Sequence, residues 1–122
     1  MINMEIRFDD ATSKFIQDRL GDNKLLLTFE DGVGPYSQHA MMHMQTQFTV
    51  NIVKPDADTS DYDLTINSNL GPVLVKGYSS DYLDPHLSLH NNASDGSWSL
   101  HGDVGVLDDD VHFIDFITNE RK

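Results

Sequence analysis

Short segments in which apolar and polar residues alternate constrain the fold of this chain more than any other feature. Residues 47–54 (QFTVNIVK) are typical, because Phe48, Val50 and Ile52 would share one face of an extended strand. Comparable segments predict further strands at residues 4–8, 24–30, 62–67, 73–77, 86–90, 97–101 and 111–117. The breaks between them are rich in Gly, Pro, Asn and Asp, which favour turns. The pattern therefore predicts a chain built mainly of strands.

One segment near the N-terminus has the helical period instead. Asp9 or Asp10 can cap its first turn, and Gly21 can end it. Four apolar residues fall on one face of this helix, namely Ala11, Phe15, Ile16 and Leu20. The acidic residues comprise 17 Asp and 3 Glu, and Asp favours turns whereas Glu favours helix interiors. We therefore expect an α+β, mainly β fold, a compact single domain over residues 1–122 with one N-terminal helix and mostly antiparallel strands.

The charge of the chain limits its partners. With 20 acidic and 8 basic residues the formal net charge is −12, which repels nucleic-acid phosphates and anionic membrane surfaces. No apolar run approaches the ~20 residues that span a bilayer. The N-terminus lacks the basic start and apolar stretch of a secretory signal. We expect a cytoplasmic protein that binds neither nucleic acid nor membrane, with an acidic surface that serves either solubility or cationic ligands.

The chain has no cysteine. This absence excludes disulfides, thiolate metal sites, thiol nucleophiles and the usual four-cysteine ligation of iron–sulfur clusters. Motifs of hydrolases and phosphate-binding loops are also missing, and the glycines at positions 32 and 34 lack the remainder of a dinucleotide-binding pattern. We therefore expect that the protein is not an enzyme.

Two pairs of histidines are the candidate metal ligands. His39 and His43 share a face of either a helix or a strand, with three methionines beside them. His86 and His101 would face each other across a hairpin if Leu89 paired with Trp98, with Cβ atoms about 4.5–5.5 Å apart. Imidazoles suit iron or zinc, so no cofactor is firmly implied and a loosely bound divalent ion is the one that these residues would fit. The alternative is that these histidines hold no ligand, which is the commoner situation for such residues.

Two acidic runs have simpler interpretations. Residues 56–63 begin like a calcium loop, but Asp61 stands where that loop needs Gly and Asn67 where it needs Glu. We interpret this run as a solvated turn. Asp108, Asp109 and Asp110 are interpreted in the same way, although their oxygens could hold iron loosely.

Three stretches of the chain together resemble the A-type iron–sulfur carrier family (HesB/IscA-like). They are residues 6–17, a strand that leads into the capped helix; residues 25–34, a strand that runs into a Gly-rich loop; and residues 74–83, a strand followed by a short helix. Residues 29–53 (FEDGVGPYSQHAMMHMQTQFTVNIV) are similar in particular to small iron–sulfur cluster biosynthesis proteins of lactobacilli.

The resemblance implies a compact β-rich domain that often self-associates and that receives, holds or delivers iron or iron–sulfur clusters. Its partners would be iron–sulfur assembly proteins. The family's ligands are one cysteine after the second strand, expected here near residues 34–36, and a Cys-x-Cys pair, expected near residues 108–110. None of these positions holds cysteine. The resemblance therefore predicts an accessory protein of cluster biosynthesis or iron homeostasis that carries no cluster. The alternatives are a His/Asp metal-binding module and an interaction domain without metal chemistry.

Overall fold

Eight strands, one α-helix and one 3₁₀ helix form along residues 4–30 and 47–122, the part of the chain that the computed structural model describes. They are β1 (Glu5–Phe8), α1 (Asp10–Leu20), β2 (Lys24–Phe29), β3 (Phe48–Val53), β4 (Leu64–Ser68), β5 (Val73–Val75), the 3₁₀ helix (Gly77–Tyr82), β6 (His86–Asn91), β7 (Trp98–His101) and β8 (Val106–Asp115). The prediction of a mainly β chain with a helix near its N-terminus is confirmed.

Local chemistry accounts for the bounds of α1. The Asp9 carboxylate accepts a hydrogen bond from the backbone N–H of Thr12 and so satisfies one of the free donors of the first turn. Gly21 follows the last turn with a φ of +52°, a conformation that a residue with a Cβ adopts only with strain. Between these caps, Ile16 is completely buried. The predicted caps are therefore the ones that the structure uses.

The strands close into a barrel in the order β1-β4-β5-β2-β3-β8-β7-β6. The prediction of mostly antiparallel strands is wrong for the described residues. Four pairings are antiparallel (β2–β3, β4–β5, β6–β7 and β7–β8), but four are parallel (β1–β4, β1–β6, β2–β5 and β3–β8). Alternation in a sequence tells which side chains share a face, but it carries no information on the direction of the neighbouring strand.

The barrel interior is apolar and partly aromatic. It buries one face of each strand, with Leu27, Ile52, Ile66, Leu89 and Leu100 each at most 1% exposed. Phe15 of α1 packs edge-on against Trp98 and Phe113, with ring centroids 5.3 and 5.0 Å apart. Edge-to-face pairs of this kind contribute about 0.5–1.5 kcal/mol beyond their buried area. The helix is therefore fastened to β7 and β8 as well as capped at its own ends.

Strands β2 and β3 are buried on both faces. On the outer face, Leu26 and Val53 pack under Tyr62, and the Thr28 hydroxyl hydrogen-bonds to Asn51 Oδ1 at 2.5 Å and to the Tyr62 hydroxyl at 2.8 Å. Continuous apolar runs are typical of strands covered on both sides. The prediction that residues 24–30 are too apolar for an exposed edge is confirmed, because β2 lies between β3 and β5.

Candidate functional site

Residues 108–110, where the family's Cys-x-Cys pair is expected, lie inside β8. Their interpretation as a turn is wrong for all three, and their interpretation as solvated is wrong for Asp108, which is only 7% exposed. The strand runs from Val106 to Asp115 instead of the predicted 111–117, and its pairing with β7 shifts register twice between Trp98 and His101. Such β-bulges interrupt the alternation of side chains, which is why the first half of β8 does not have a strand-like sequence pattern.

Asp108 serves as a backbone clamp in this position. One carboxylate oxygen, Oδ2, accepts from the backbone N–H of Phe48 at 2.8 Å, at the start of β3. The other, Oδ1, accepts from the N–H of Asp110 at 2.9 Å. Burial raises the pKa of the Asp108 carboxyl, and the charges of Asp110 and Asp109 act in the same direction, against the two backbone hydrogen bonds. One oxygen thus links β8 to β3, and the other binds the backbone of β8 itself.

Asp109 and Asp110 are exposed, as the sequence indicated. Asp110 Oδ2 lies 3.3 Å from His112 Nε2, and His112 Nδ1 lies 3.1 Å from the carbonyl oxygen of Lys122. The chain end returns to β8 through hydrogen bonds between Phe113 and Lys122 in both directions. The His112 ring is therefore held by a carboxylate on one side and by a backbone carbonyl on the other.

A pocket of about 230 Å³ opens beside this pair. It lies where β2 ends, β3 begins and β8 passes, so it adjoins residues 108–110, one of the two regions in which the family's ligands are expected. Its lining includes Glu30, Thr49, Asp110, His112 and Phe113. The Thr49 hydroxyl donates to Glu30 Oε2 at 3.1 Å, although Glu30 is only 6% exposed. Carboxylates and an imidazole beside an apolar wall suit binding of a small polar ligand or of part of a partner protein.

The described residues do not assemble a preformed metal site. Across residues 4–30 and 47–122, no three His, Asp or Glu side chains come together in a way that could hold a metal ion. His39 and His43, like residues 34–36, lie outside these residues, so their predicted roles stay predictions. The acidic turn at residues 56–63 is solvated as expected, because Asp56, Asp58 and Asp61 are all exposed.

His86 and His101 do not face each other, because the predicted register of the hairpin is wrong by two residues. Asn91 pairs with Trp98, Leu89 with Leu100 and Ser88 with His101. A shift of two residues leaves every side chain on the same face, so the alternation of the sequence fits both registers equally well. His86 instead lies beside Asp103, with Nδ1 3.1 Å from Oδ1.

The histidine that does meet His101 is His90. The two ring centroids are 4.7 Å apart and the rings are nearly perpendicular, at 77°. Burial lowers the pKa of His101, and the neighbouring His90 adds to the effect. The only signal in the sequence is the polar face itself, which holds Ser88, His90, Ser99 and His101 in either register.

Among the described residues, no helix is long and apolar enough to cross a membrane.

Two solved structures of similar fold are of proteins from lactobacilli. One is a candidate Fe–S biosynthesis protein from Lactobacillus salivarius, described as having a novel fold; it is 30% identical, with a TM-score of 0.77, and the match covers 93% of this chain and 98% of that one. Another is a candidate Fe–S biosynthesis protein from Lactobacillus acidophilus, 27% identical with a TM-score of 0.69, covering 92% of this chain and 89% of that one. No curated protein sequence matches. The family model for iron–sulphur cluster biosynthesis matches residues 4–115. The chain therefore belongs to the iron–sulphur cluster biosynthesis family.

Proposed function

We propose that this protein is a non-enzymatic accessory factor of iron–sulfur cluster biosynthesis or iron homeostasis, which acts by contact with other proteins. The observation that carries the proposal is the position of Asp108. Where the family resemblance leads one to expect a cluster-ligating thiolate, the chain has a buried carboxylate whose two oxygens bind the backbone of Phe48 and Asp110. The position at which the family would bind a cluster therefore stabilises the backbone in this chain.

The residues present do not fit an iron–sulfur cluster. Clusters are held by soft thiolates, and the chain has none. Asp110 and His112 offer one carboxylate and one imidazole, which are suited to a weakly held divalent ion. Family membership supports a role in cluster biosynthesis, and a chain that lacks thiolates would take part in it without carrying the cluster itself.

Contact with a partner is proposed at the pocket edge formed by Glu30, Asp110 and His112. Asp110 is exposed on a surface whose net charge is −12, and this acidic surface favours a partner with a cationic face, although the exposed Arg121 and Lys122 also line the pocket. Iron–sulfur assembly proteins are the proposed partners, with the cytoplasm as the proposed compartment. Self-association, which the family resemblance implies, is an additional proposed property.

Anaerobic reconstitution tests the absence of cluster ligation. Tag-free protein is incubated with ferrous iron and sulfide, desalted and analysed for iron, sulfide and visible charge-transfer bands. We expect near-zero iron and sulfide per chain, while a cysteine-bearing member of the family treated in parallel retains both. Stoichiometric uptake of a stable cluster by this chain would overturn the proposal.

A purified cluster-assembly system tests the accessory role itself. Addition of the protein should change the rate of cluster formation or transfer in a saturable manner. Glu30→Gln combined with Asp110→Asn should weaken this effect. Asp56→Asn combined with Asp58→Asn removes the same charge near the opposite end of the β2–β3 ladder and should leave the effect unchanged. Rates that do not respond to the protein, or equal losses in both variants, would contradict the proposal.

A further inference from the structure

Two imidazoles come together on the outer face of the β6–β7 hairpin. Strand β8 lies between this hairpin and β3 in the order of the barrel. His90 pairs with Ser99 and His101 pairs with Ser88, so the two histidines are diagonal neighbours on one face. Their ring centroids are 4.7 Å apart and their planes are 77° from parallel. His90 is exposed and His101 is half-buried, so solvent reaches the pair. We propose that His90 and His101 form a two-histidine site for a borderline divalent transition-metal ion such as Zn²⁺.

The spacing of the rings fits joint ligation of one ion. A Zn–N bond of about 2.0–2.1 Å puts the centre of an imidazole ring roughly 3.2 Å from the metal, so two ligands at angles from 90° to tetrahedral have centroids roughly 4.5–5.2 Å apart. The observed 4.7 Å lies within this range. Joint ligation also requires one nitrogen of each ring to face the same ion.

The hydrogen bonds of the two rings indicate which nitrogens would bind. His90 Nε2 lies 2.9 Å from Ser88 Oγ, and His101 Nε2 lies 3.0 Å from Ser99 Oγ. A ligating histidine usually donates its second ring N–H to an oxygen that fixes the ring, and each serine hydroxyl can accept in this way. Both Nε2 atoms are thus occupied by serines, which leaves both Nδ1 atoms for the metal.

The charge state also favours ligation. Burial and the neighbouring His90 both lower the pKa of His101, and metal ligation requires the neutral form of an imidazole. The carboxylate of Asp9, next to the hairpin, accepts from the backbone N–H groups of Thr12 and Asn91 and is not free to be a third ligand. Water would complete the coordination, which predicts weaker binding than that of four-ligand structural sites.

This proposal does not rest on the accessory function, since it uses none of the residues that are proposed to contact a partner. It also differs from the predicted pair of His86 and His101, because it needs the observed register of the hairpin. Imidazole ligands select zinc, nickel or copper over calcium and magnesium. Titration with Zn²⁺ and then with Ca²⁺ therefore distinguishes an imidazole site from a site made of carboxylates.

Calorimetric titration of tag-free, chelator-treated protein with Zn²⁺ tests the site. We expect one equivalent to bind with a micromolar Kd, and Ca²⁺ to give no comparable heat. His90→Asn combined with His101→Asn should abolish this binding. His86→Asn removes an exposed imidazole that lies beside Asp103 and should leave the binding unchanged. Far-ultraviolet circular dichroism checks that every variant is folded.

Two further variants distinguish this site from zinc binding elsewhere on the chain. Ser99→Ala keeps both imidazoles but removes the group that orients His101, and it should weaken Zn²⁺ binding by about tenfold. His39→Asn combined with His43→Asn should have no effect. Zn²⁺ binding that survives the loss of His90 and His101, or that disappears with His39 and His43, would overturn the proposal, as would the absence of Zn²⁺ binding to the unchanged protein.

Discussion

At the scale of single residues, Asp108 shows how one side chain can join two strands that are distant in sequence. Its carboxylate satisfies backbone N–H groups of both β3 and β8 at a point where the β7–β8 pairing is irregular. A buried donor that loses its acceptor retains the cost of its desolvation. The residue therefore stabilises the pocket edge through the backbone and leaves ligand contacts to its exposed neighbours.

Replacement of Asp108 by Ala should destabilise the protein by about 2–3 kcal/mol, because the N–H groups of Phe48 and Asp110 both lose their acceptor. Urea-induced unfolding followed by circular dichroism measures this difference. The matched control is Asp109→Ala at the exposed neighbouring position, which should change stability by less than about 0.5 kcal/mol. Equal effects of the two substitutions would show that the carboxylate is not a clamp.

The pH dependence of the same carboxyl has a definite sign. Its pKa in the folded protein is raised above the ordinary 3.8, mainly by burial, so the folded state binds the proton more tightly than the unfolded state. The part of its contribution that depends on proton binding is therefore complete below pH 3.8 and is lost as pH rises through the raised pKa, whereas the two hydrogen bonds to the backbone remain. The stability of the unchanged protein relative to Asp108→Asn should increase as pH falls through this window. A constant difference in urea-unfolding free energy across the window would contradict the assignment.

At the scale of elements, predictability depended on whether the relevant signal was local. The helix caps and the covered strand β2 were predictable from adjacent residues, because capping and continuous apolar runs act within one element. The hairpin register was not, since pairing Leu89 with Trp98 or with Leu100 puts the same side chains outward. The first half of β8 was not predictable for a second reason. Its bulges interrupt the alternation of side chains, and its run of Asp residues is typical of a turn. The sequence therefore predicted that histidines of this hairpin would meet, but not which two of them.

The ion pair between Arg19 of α1 and Glu120 should stabilise the protein in a way that depends on pH and salt. Arg19 holds Glu120 with two hydrogen bonds of 2.7 and 2.9 Å while its guanidinium lies over the Phe15 ring. Glu120→Gln should lower Tm at neutral pH and low salt, and less so at high salt. The hydrogen bond from Arg19 lowers the pKa of Glu120, so this contribution is present above the ordinary 4.5 and is lost as pH falls below it.

Thermal melts at two pH values and two salt concentrations measure the effect. Asp18→Asn is the matched control, because it also removes one carboxylate that faces a cation on α1, but in the exposed pair with Lys14 at 3.4 Å. Such a pair within one helix contributes little to the stability of a folded protein. An equal fall in Tm for Asp18→Asn and Glu120→Gln would contradict the proposed link between Arg19 and Glu120. A fall in Tm for Glu120→Gln that persists in acid would contradict it as well.

At the scale of the whole molecule, the arrangement of strands was the least predictable feature. Parallel neighbours such as β1 and β6 are separated by most of the chain, and no local pattern records such a pairing. The family resemblance predicted the compact, β-rich form, but the closed order of eight strands emerges only when all the pairings are combined. Closure matters physically, because each strand then has a partner on both edges and the described barrel has no exposed strand edge of the kind that promotes aggregation.

Because of this closure, the barrel should unfold as one cooperative unit. Ile6 of β1 and Phe113 of β8 are 1% and 0% exposed and belong to the same apolar core. Ile6→Ala should cost about 2–5 kcal/mol and Phe113→Ala about 3–5 kcal/mol, through lost apolar burial and the cavity left behind. Each should shift a single unfolding transition measured both by Trp98 fluorescence and by far-ultraviolet circular dichroism. Val104→Ala, at a position 94% exposed, is the control and should have almost no effect. Two transitions, or probes that no longer coincide in either core variant, would mean that β1 and β8 belong to separately folding parts and that the closed order does not govern stability.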